Sequence, residues 1–278
     1  MKQFFLFAGL AFSLNGFAQK VTVKPTFQKG QKIEVLSKIN SNVSMEMMGQ
    51  SMETKVEATV NRSFDVENVQ NGSTTLEHKI KRFQMNIEAP GGNSQSFDSE
   101  KPEDLKGEGG ETMGKAIKSK FSMQVDPMGK VTSVKADDDY PGADQSNPMS
   151  GAMSNIGELP KVGSSMELVI LPAAGVEKGT TWTDTTGGHQ LAYTVTDVTG
   201  DEIALSFTDQ TKTDKKQEMN GMELAISTTD KTTGTVRIDR KSGLVKERAS
   251  NTTSEGTMEM MGQSIPMTTK TTTTMTVK

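Results

Sequence analysis

From residue 33 the chain alternates between apolar and mostly polar positions. Every second residue reads Ile33, Val35, Ser37, Ile39, Ser41, Val43, Met45 and Met47. After Gly49-Gln50 the series resumes as Met52, Thr54, Val56, Ala58, Val60, Arg62, Phe64 and Val66. A period of two held this long predicts two long strands, each with one face turned inward. Gly49-Gln50 reads as a two-residue turn with glycine in its first place. That turn would pair Met47 with Met52, Val43 with Val56, Ile39 with Val60, Val35 with Phe64 and Ile33 with Val66. A slip of one residue would move every apolar side chain to the other face, so the pattern defines the inner face.

The octapeptide Met45-Glu-Met-Met-Gly-Gln-Ser-Met52 returns 213 positions later as Met258-Glu-Met-Met-Gly-Gln-Ser-Ile265. It predicts a second long hairpin, turning at Gly262-Gln263, with Met260 facing Ile265 and Met258 facing Met267. The last strand continues through Thr269, Thr271, Thr273, Met275 and Val277. A third hairpin is expected at Asn220-Gly221, a type I′ signal, with Met219 facing Met222. Ile203, Leu205 and Phe207 lead into it, and Leu224, Ile226, Val236 and Ile238 lead out. Shorter turns are read at Asn71-Gly72, Pro127-Met128-Gly129, Thr199-Gly200-Asp201 and Lys241-Ser242-Gly243.

Two further echoes accompany the octapeptide. Val125-Asp-Pro-Met-Gly-Lys-Val131 resembles Ile238-Asp-Arg-Lys-Ser-Gly-Leu-Val245, and Phe27-Gln-Lys-Gly30 resembles Val176-Glu-Lys-Gly179. They predict two related β halves, residues 19–159 and 160–278, divided near Pro160, which can share one continuous domain. Residues 89–160 break the alternation. Ala89–Ser96 and Asp98–Gly110 read as loops, and Glu111–Lys120 as a short helix with Met113, Ala116 and Ile117 on one face. Asp137–Met153 reads as a polar stretch closed by a helical turn near Met149–Ile156. The fold class expected is mainly β: long antiparallel hairpins in a strongly curved or barrel-like sheet, with one or two short helices in the 103–158 insertion.

Composition changes the picture in three ways. Residues 1–18 have the layout of a secretory leader: Lys2, an apolar run from Phe4 to Leu14, and small residues at Gly16 and Ala18. Cleavage after Ala18 is expected, with export to the periplasm or the extracellular space. With no cysteine, an exported chain of this size has to stand on its core rather than on disulfides. Five of the eleven Phe lie in the leader, whereas eighteen of the nineteen Met lie beyond it, so the interior is aliphatic and thioether-rich. One Trp and two Tyr cannot build the aromatic girdles of an outer-membrane barrel. The formal charge of −4 offers no footprint for nucleic acid, and no later segment is apolar and long enough for a membrane-spanning helix.

Catalytic and metal motifs are sparse. Met45 and Met47, with Met258 and Met260, have the spacing of a thioether copper site, since soft sulfur suits Cu(I). Gap-filling methionine accounts for the same pattern. His78 and His189 lie far apart in no zinc motif and read as surface or incidental histidines. Asp137-Asp138-Asp139 lacks the later ligands of a calcium loop. No nucleophile elbow, P-loop or dinucleotide fingerprint is present, which points away from an enzyme and from a bound cofactor.

The Lys-Gly entries, the MEMMGQ tips, the Asp-Pro-Met-Gly-Lys-Val turn and the leader ending Phe17-Ala-Gln-Lys20 together resemble an uncharacterised family of exported β-rich proteins from Bacteroidota. The resemblance implies export and a β fold and carries no activity. The functional expectation is an envelope protein that binds an apolar, lipid-like ligand on the inner face of a curved sheet. Ile39, Val43, Val56, Val60 and Phe64 of the first half would line it, with Leu205, Phe207, Leu224 and Ile226 of the second. The alternative is a structural or interaction module that meets an envelope protein through its Met-rich hairpin tips.

Overall fold

The computed structural model describes residues 20–47, 49–137, 140, 159–185, 190–219, 222–260 and 263–278. The expected leader, the stretch through Met149–Ile156, His189 and the turn residues Asn220-Gly221 and Gly262 lie outside them. The alternating segments are the strands β1 (Lys32–Met47), β2 (Gln50–Gln70) and β3 (Ser73–Glu88). They are followed by β4 (Ser94–Asp98), helix α1 (Gly107–Lys118), β5 (Lys120–Val125) and β6 (Val131–Ala136). The rest are β7 (Thr181–Asp184), β8 (Leu191–Val198), β9 (Glu202–Met219), β10 (Met222–Asp239), β11 (Val245–Met260) and β12 (Gln263–Val277).

Among the described residues these twelve strands form one antiparallel sheet, ordered β6-β5-β3-β2-β1-β12-β11-β10-β9-β8-β7, with β4 beside β3. β6 and β7 are its two edges, so the sheet is open and not closed into the barrel the sequence also allowed. β12, last in the chain, sits between β1 and β11 and joins the early strands to the late ones.

The hairpins form where the alternation places them, but two registers differ from expectation. Met47 pairs with Gln50 and Met45 with Met52, so Val43 faces Thr54 and Ile39 faces Ala58. Likewise Met258 faces Ile265 and Met260 faces Gln263. Both pairings are shifted by two residues; in the first, glycine takes the second turn position rather than the first, with Gly49 at φ +75°. A shift of two preserves the inner face, so periodicity cannot detect it. The third hairpin closes as expected, with Met219 opposite Met222.

One bulge matters for the face. Asn61 pairs with Arg82 but Arg62 pairs with Ile80, so Lys81 is an extra residue in β3. The inner series of β3 therefore switches from Leu76, His78 and Ile80 to Phe83 and Met85, all buried. The segment read as a loop over Ala89–Ser96 is a short turn followed by β4, whose Phe97 lies opposite Met85. Its polar sequence hid it. α1 begins four residues earlier than expected, inside the presumed acidic loop, and buries the face named for it: Met113, Ala116 and Ile117.

Two covers close parts of the inner face. α1 lies over Val60, Ile80, Phe83 and Met85. At the end of the sheet bearing the short turns, residues 159–180 cross as a strap that buries Met166, Leu168 and Val169 against Ile33, Val35, Leu205 and Ile238. Each such side chain contributes roughly 1.5–3 kcal/mol when fully buried. Backbone hydrogen bonds pin the strap: Met166 N–H donates to Gly129 O (2.9 Å), Val245 N–H to Leu168 O (3.0 Å) and Gly179 N–H to Val195 O (2.9 Å).

The echoes in sequence recur as echoes in bonding. Gly30 N–H donates to Val66 O, and Gly179 N–H to Val195 O; Val66 N–H returns to Gln31 O, and Val195 N–H to Thr180 O. In the Asp turns, Gly129 N–H donates to Asp126 O and Gly243 N–H to Asp239 O.

Gly129 separates two costs. It has φ +77°, and a Cβ there would stand 2.6 Å from Val169. Gly179 has φ +87° with nothing within 4 Å. Gly179→Ala should lower the unfolding free energy by about 1 kcal/mol from backbone strain alone. Gly129→Ala should lower it by about 2–4 kcal/mol, because overpacking is added. Urea denaturation measures both, and equal losses would mean that the strap yields freely at Val169.

Candidate functional site

Residues directly opposite one another across the strands share a face. One such row runs from β7 to β4: Trp182, Tyr193, Phe207, Gly234, Ser250, Thr273, Ile39, Ala58, Met85 and Phe97. Its ends are aromatic or thioether and its middle is small, which makes a trough floor of β10, β11 and β12 between two bulkier walls. At the β9 wall the Phe207 ring leans over Gly234, where a Cβ would lie 2.5 Å from the ring. The guanidinium of Arg248 lies over that ring at 4.5 Å from its centroid. Trp182 stacks on Tyr193 at 5.2 Å, and Tyr193 meets Phe207 at 5.8 Å.

The row divides the inner face. On the strap side most apolar side chains are buried, with Val198 and Val277 half-buried against the core. Towards the hairpin tips, Ile39, Val43, Met45 and Val56 remain half-buried, as do Ile226 and Met258. The centre of this outer region is hydroxylated: Ser41 Oγ and Thr271 Oγ1 are 2.9 Å apart, and Thr232 Oγ1 and Thr252 Oγ1 are 2.8 Å apart. Asp230 shares the face, with one buried carboxylate oxygen lacking a partner.

The nine residues expected to line a groove thus fall in two places. Val60, Phe64, Leu205 and Phe207 belong to the packed core. Ile39, Val43, Val56 and Ile226 lie in the half-buried region, and the backbone of Leu224 pairs with that of Met260 near the tip. The thioethers named for copper do not share one row. Met45 stands between Met52 and Met267, whereas Met258 stands between Ile226 and Ile265. Met47 and Met260 oppose glutamines at the turns.

Beneath the strap lies a polar group that sequence reading missed. Arg62 Nη2 donates to Glu167 Oε2 at 2.8 Å, tying the sheet to the strap. His78, expected at the surface, is 2% exposed and sits between Phe64 (4.9 Å) and Phe121 (4.5 Å, stacked). The bulge in β3 keeps it in phase with the core. Burial, with the Arg62 charge nearby, pushes its imidazole down to about 3. The Tyr140 phenol, edge-on to Phe121, is pushed up to about 12 by burial. Both imidazole nitrogens, the Tyr140 hydroxyl, Arg62 Nε and Glu167 Oε1 have no partner among the described residues.

On the opposite side of the sheet, Glu57, Gln84, Asn86, Asp98 and Lys101 border a shallow cleft. Its acid is already engaged. Arg82 grips Asp98 through two bonds of 3.1 and 2.6 Å and holds the carboxyl well below the usual range, while Gln84 adds a third bond. That set fastens β4 to β3.

Residues 71–157 and 160–245 match the model of a family of unknown function, DUF6263. The chain belongs to that family. No curated protein sequence matches it. Among solved structures it is similar to part of lipovitellin, in a structure described as showing lipid–protein interactions. The match has 12% identity and a TM-score of 0.54, and covers 91% of this chain and 25% of that one. The chain thus spans a quarter of lipovitellin, and the likeness is one of fold, consistent with a curved sheet. An outer-membrane channel from Pseudomonas putida aligns over 91% of this chain and 97% of its own, at 8% identity and a TM-score of 0.27, too low to inform the fold.

Two outcomes follow for the buried polar group. Between about pH 6.5 and 3 the unfolded chain binds a proton on His78 that the folded chain excludes. Stability therefore falls as pH falls through that window, and His78 contributes no such loss above it. His78→Leu should flatten the dependence in urea titrations from pH 7 to 4; an unchanged slope would assign the acid sensitivity elsewhere. Glu167→Ala should cost about 3 kcal/mol, since Arg62, with 12% of its side chain exposed, is left as a buried unpaired cation. Arg62→Met combined with Glu167→Leu should recover most of that loss.

Proposed function

We propose that the chain is an exported, non-enzymatic envelope protein that holds an apolar, lipid-like ligand on the tip-side half of its inner face. The observation that carries this reading is the division of one face into a filled half and a half-buried half. Covered apolar side chains are ordinary core. Ile39, Val43, Met45 and Val56 are apolar, share the same face and retain solvent contact, which is the condition for taking up an apolar partner. The leader-like residues 1–18 support export, and the similarity to part of lipovitellin supports a sheet able to curve round a ligand.

A second reading, a protein-contact module, draws on the tips. The β1–β2 and β11–β12 hairpins are neighbours in the sheet, so Met52, Met45 and Met267 form one row of adaptable thioethers.

Native mass spectrometry without detergent, on chain recovered from a bacterial periplasm, tests the proposal. The expected result is a lipid-sized adduct that is lost on activation. Val43→Asp should abolish it while leaving the urea midpoint nearly unchanged, because Val43 is half-buried. A bare monomer mass for the unaltered chain would overturn the ligand reading and direct attention to the tips.

A further inference from the structure

Arg248 is half-buried on the inner face, opposite the core residues Val236 and Met275. Its position marks the boundary between the filled and the half-buried halves. Arg62, one row further in, donates to Met275 Sδ at 3.9 Å and has Glu167 as its counter-ion. Arg248 has none among the described residues. Its close contact is the Phe207 ring, and a cation–π contact leaves the charge unneutralised. Asp184 and Asp209 act with Arg248 on the Tyr193 phenol, so carboxylates also border this part of the face. An inward-facing guanidinium presents donors to the trough with no acceptor for them among the described residues, which is the recognition chemistry of a carboxylate or phosphate.

The surroundings give that anion an orientation. The carboxylates of Asp209 and Asp230 share the face and lie towards the tip from Arg248, Asp209 by two rows, about 13 Å along the strands, and Asp230 by three, about 20 Å. An anion is thus favoured at Arg248 and disfavoured at the far end. From Arg248 the floor passes over Thr273 to Ile39 and then outward along β1 through Val43 to Met45. Ile39 to Met45 spans six residues, again about 20 Å, the scale of a long extended acyl chain. The hydroxyls of Ser250, Thr252, Thr271 and Thr273 border this track.

We propose that the ligand of this trough is an anionic amphiphile, with its acidic head paired to Arg248 and its apolar chain lying along β1 towards the methionine-lined tip. This rests on the reading of the inner face as a ligand site and adds the chemical class of the ligand. The charge is held beside Phe207 because Gly234 lets that ring lie flat against β10, which places the guanidinium above the sheet.

The test compares oleate with oleyl alcohol, which share a chain and differ in the head. Binding to the delipidated full chain is followed by calorimetry and by the fluorescence of Trp182, the single tryptophan, which lies in the same row as Phe207. The unaltered protein should prefer oleate by about tenfold or more, as expected for a hydrogen-bonded charge pair. Arg248→Gln should erase the preference while leaving the alcohol's affinity in place, which also reports that the fold survives. Arg248→Lys should retain part of the preference. Oleoyl lysophosphatidate, run in parallel, distinguishes a phosphate head from a carboxylate, and a preference for either acid over the alcohol that depends on Arg248 supports the proposal. If acids and alcohol bind alike, and Arg248→Gln changes neither, the proposal fails while the ligand site stands. If no amphiphile binds, both fall.

Discussion

A sheet with one apolar face has to put that face against something, and the described residues hold no second sheet to offer. The rest of the structure follows from that shortage. Among the described residues twelve strands share a single inner face, and two covers lie on it: helix α1 over β2 and β3, and the strap of residues 159–180 over the end with the short turns. These covers are small beside strands of fifteen residues and more. The face is therefore divided into a dry core and a region that keeps contact with water, and the half-buried region is where a ligand reading has physical content.

The electrostatics follow the same division. Beneath the strap a charge is tolerated because it is paired: Arg62 meets Glu167, and the His78 imidazole stays neutral between two aromatic rings. This pair crosses from sheet to strap, so closure of the core and neutralisation of its charge are one event. At the boundary Arg248 rests on Phe207 without a carboxylate counter-ion among the described residues. The same residue type thus serves as a structural ion within the cover and as an unneutralised donor at its edge. Which of the two it becomes depends on whether Glu167, carried by a segment with no strand pattern, reaches it.

Glycine has a comparable double role. At Gly129 it lets the strap press Val169 against a turn, and at Gly234 it lets an aromatic ring lie on the backbone of a strand. Neither glycine interrupts an element. Each permits a close approach that brings a cover or a charge to the place where the inner face changes character.

Much of the fold was legible in the chain. Alternation from Ile33 to Val66 identified β1 and β2 and the face they bury, and the recurrent octapeptide identified β11 and β12 as a like hairpin. This legibility is local: a period of two is imposed by the backbone itself and needs no partner to be read. Registers were less legible, since a shift of two residues in the β1–β2 and β11–β12 hairpins leaves every side chain on its original face. β4 was hidden because Ser94-Gln-Ser-Phe-Asp98 shows no alternation and pairs only because β3 presents it an edge. The openness of the sheet, the burial of His78, the pairing of Arg62 with Glu167 and the isolation of Arg248 were decided by tertiary structure alone. Each depends on which segments, well separated along the chain, lie across the strands, and periodicity along the chain carries no information about that.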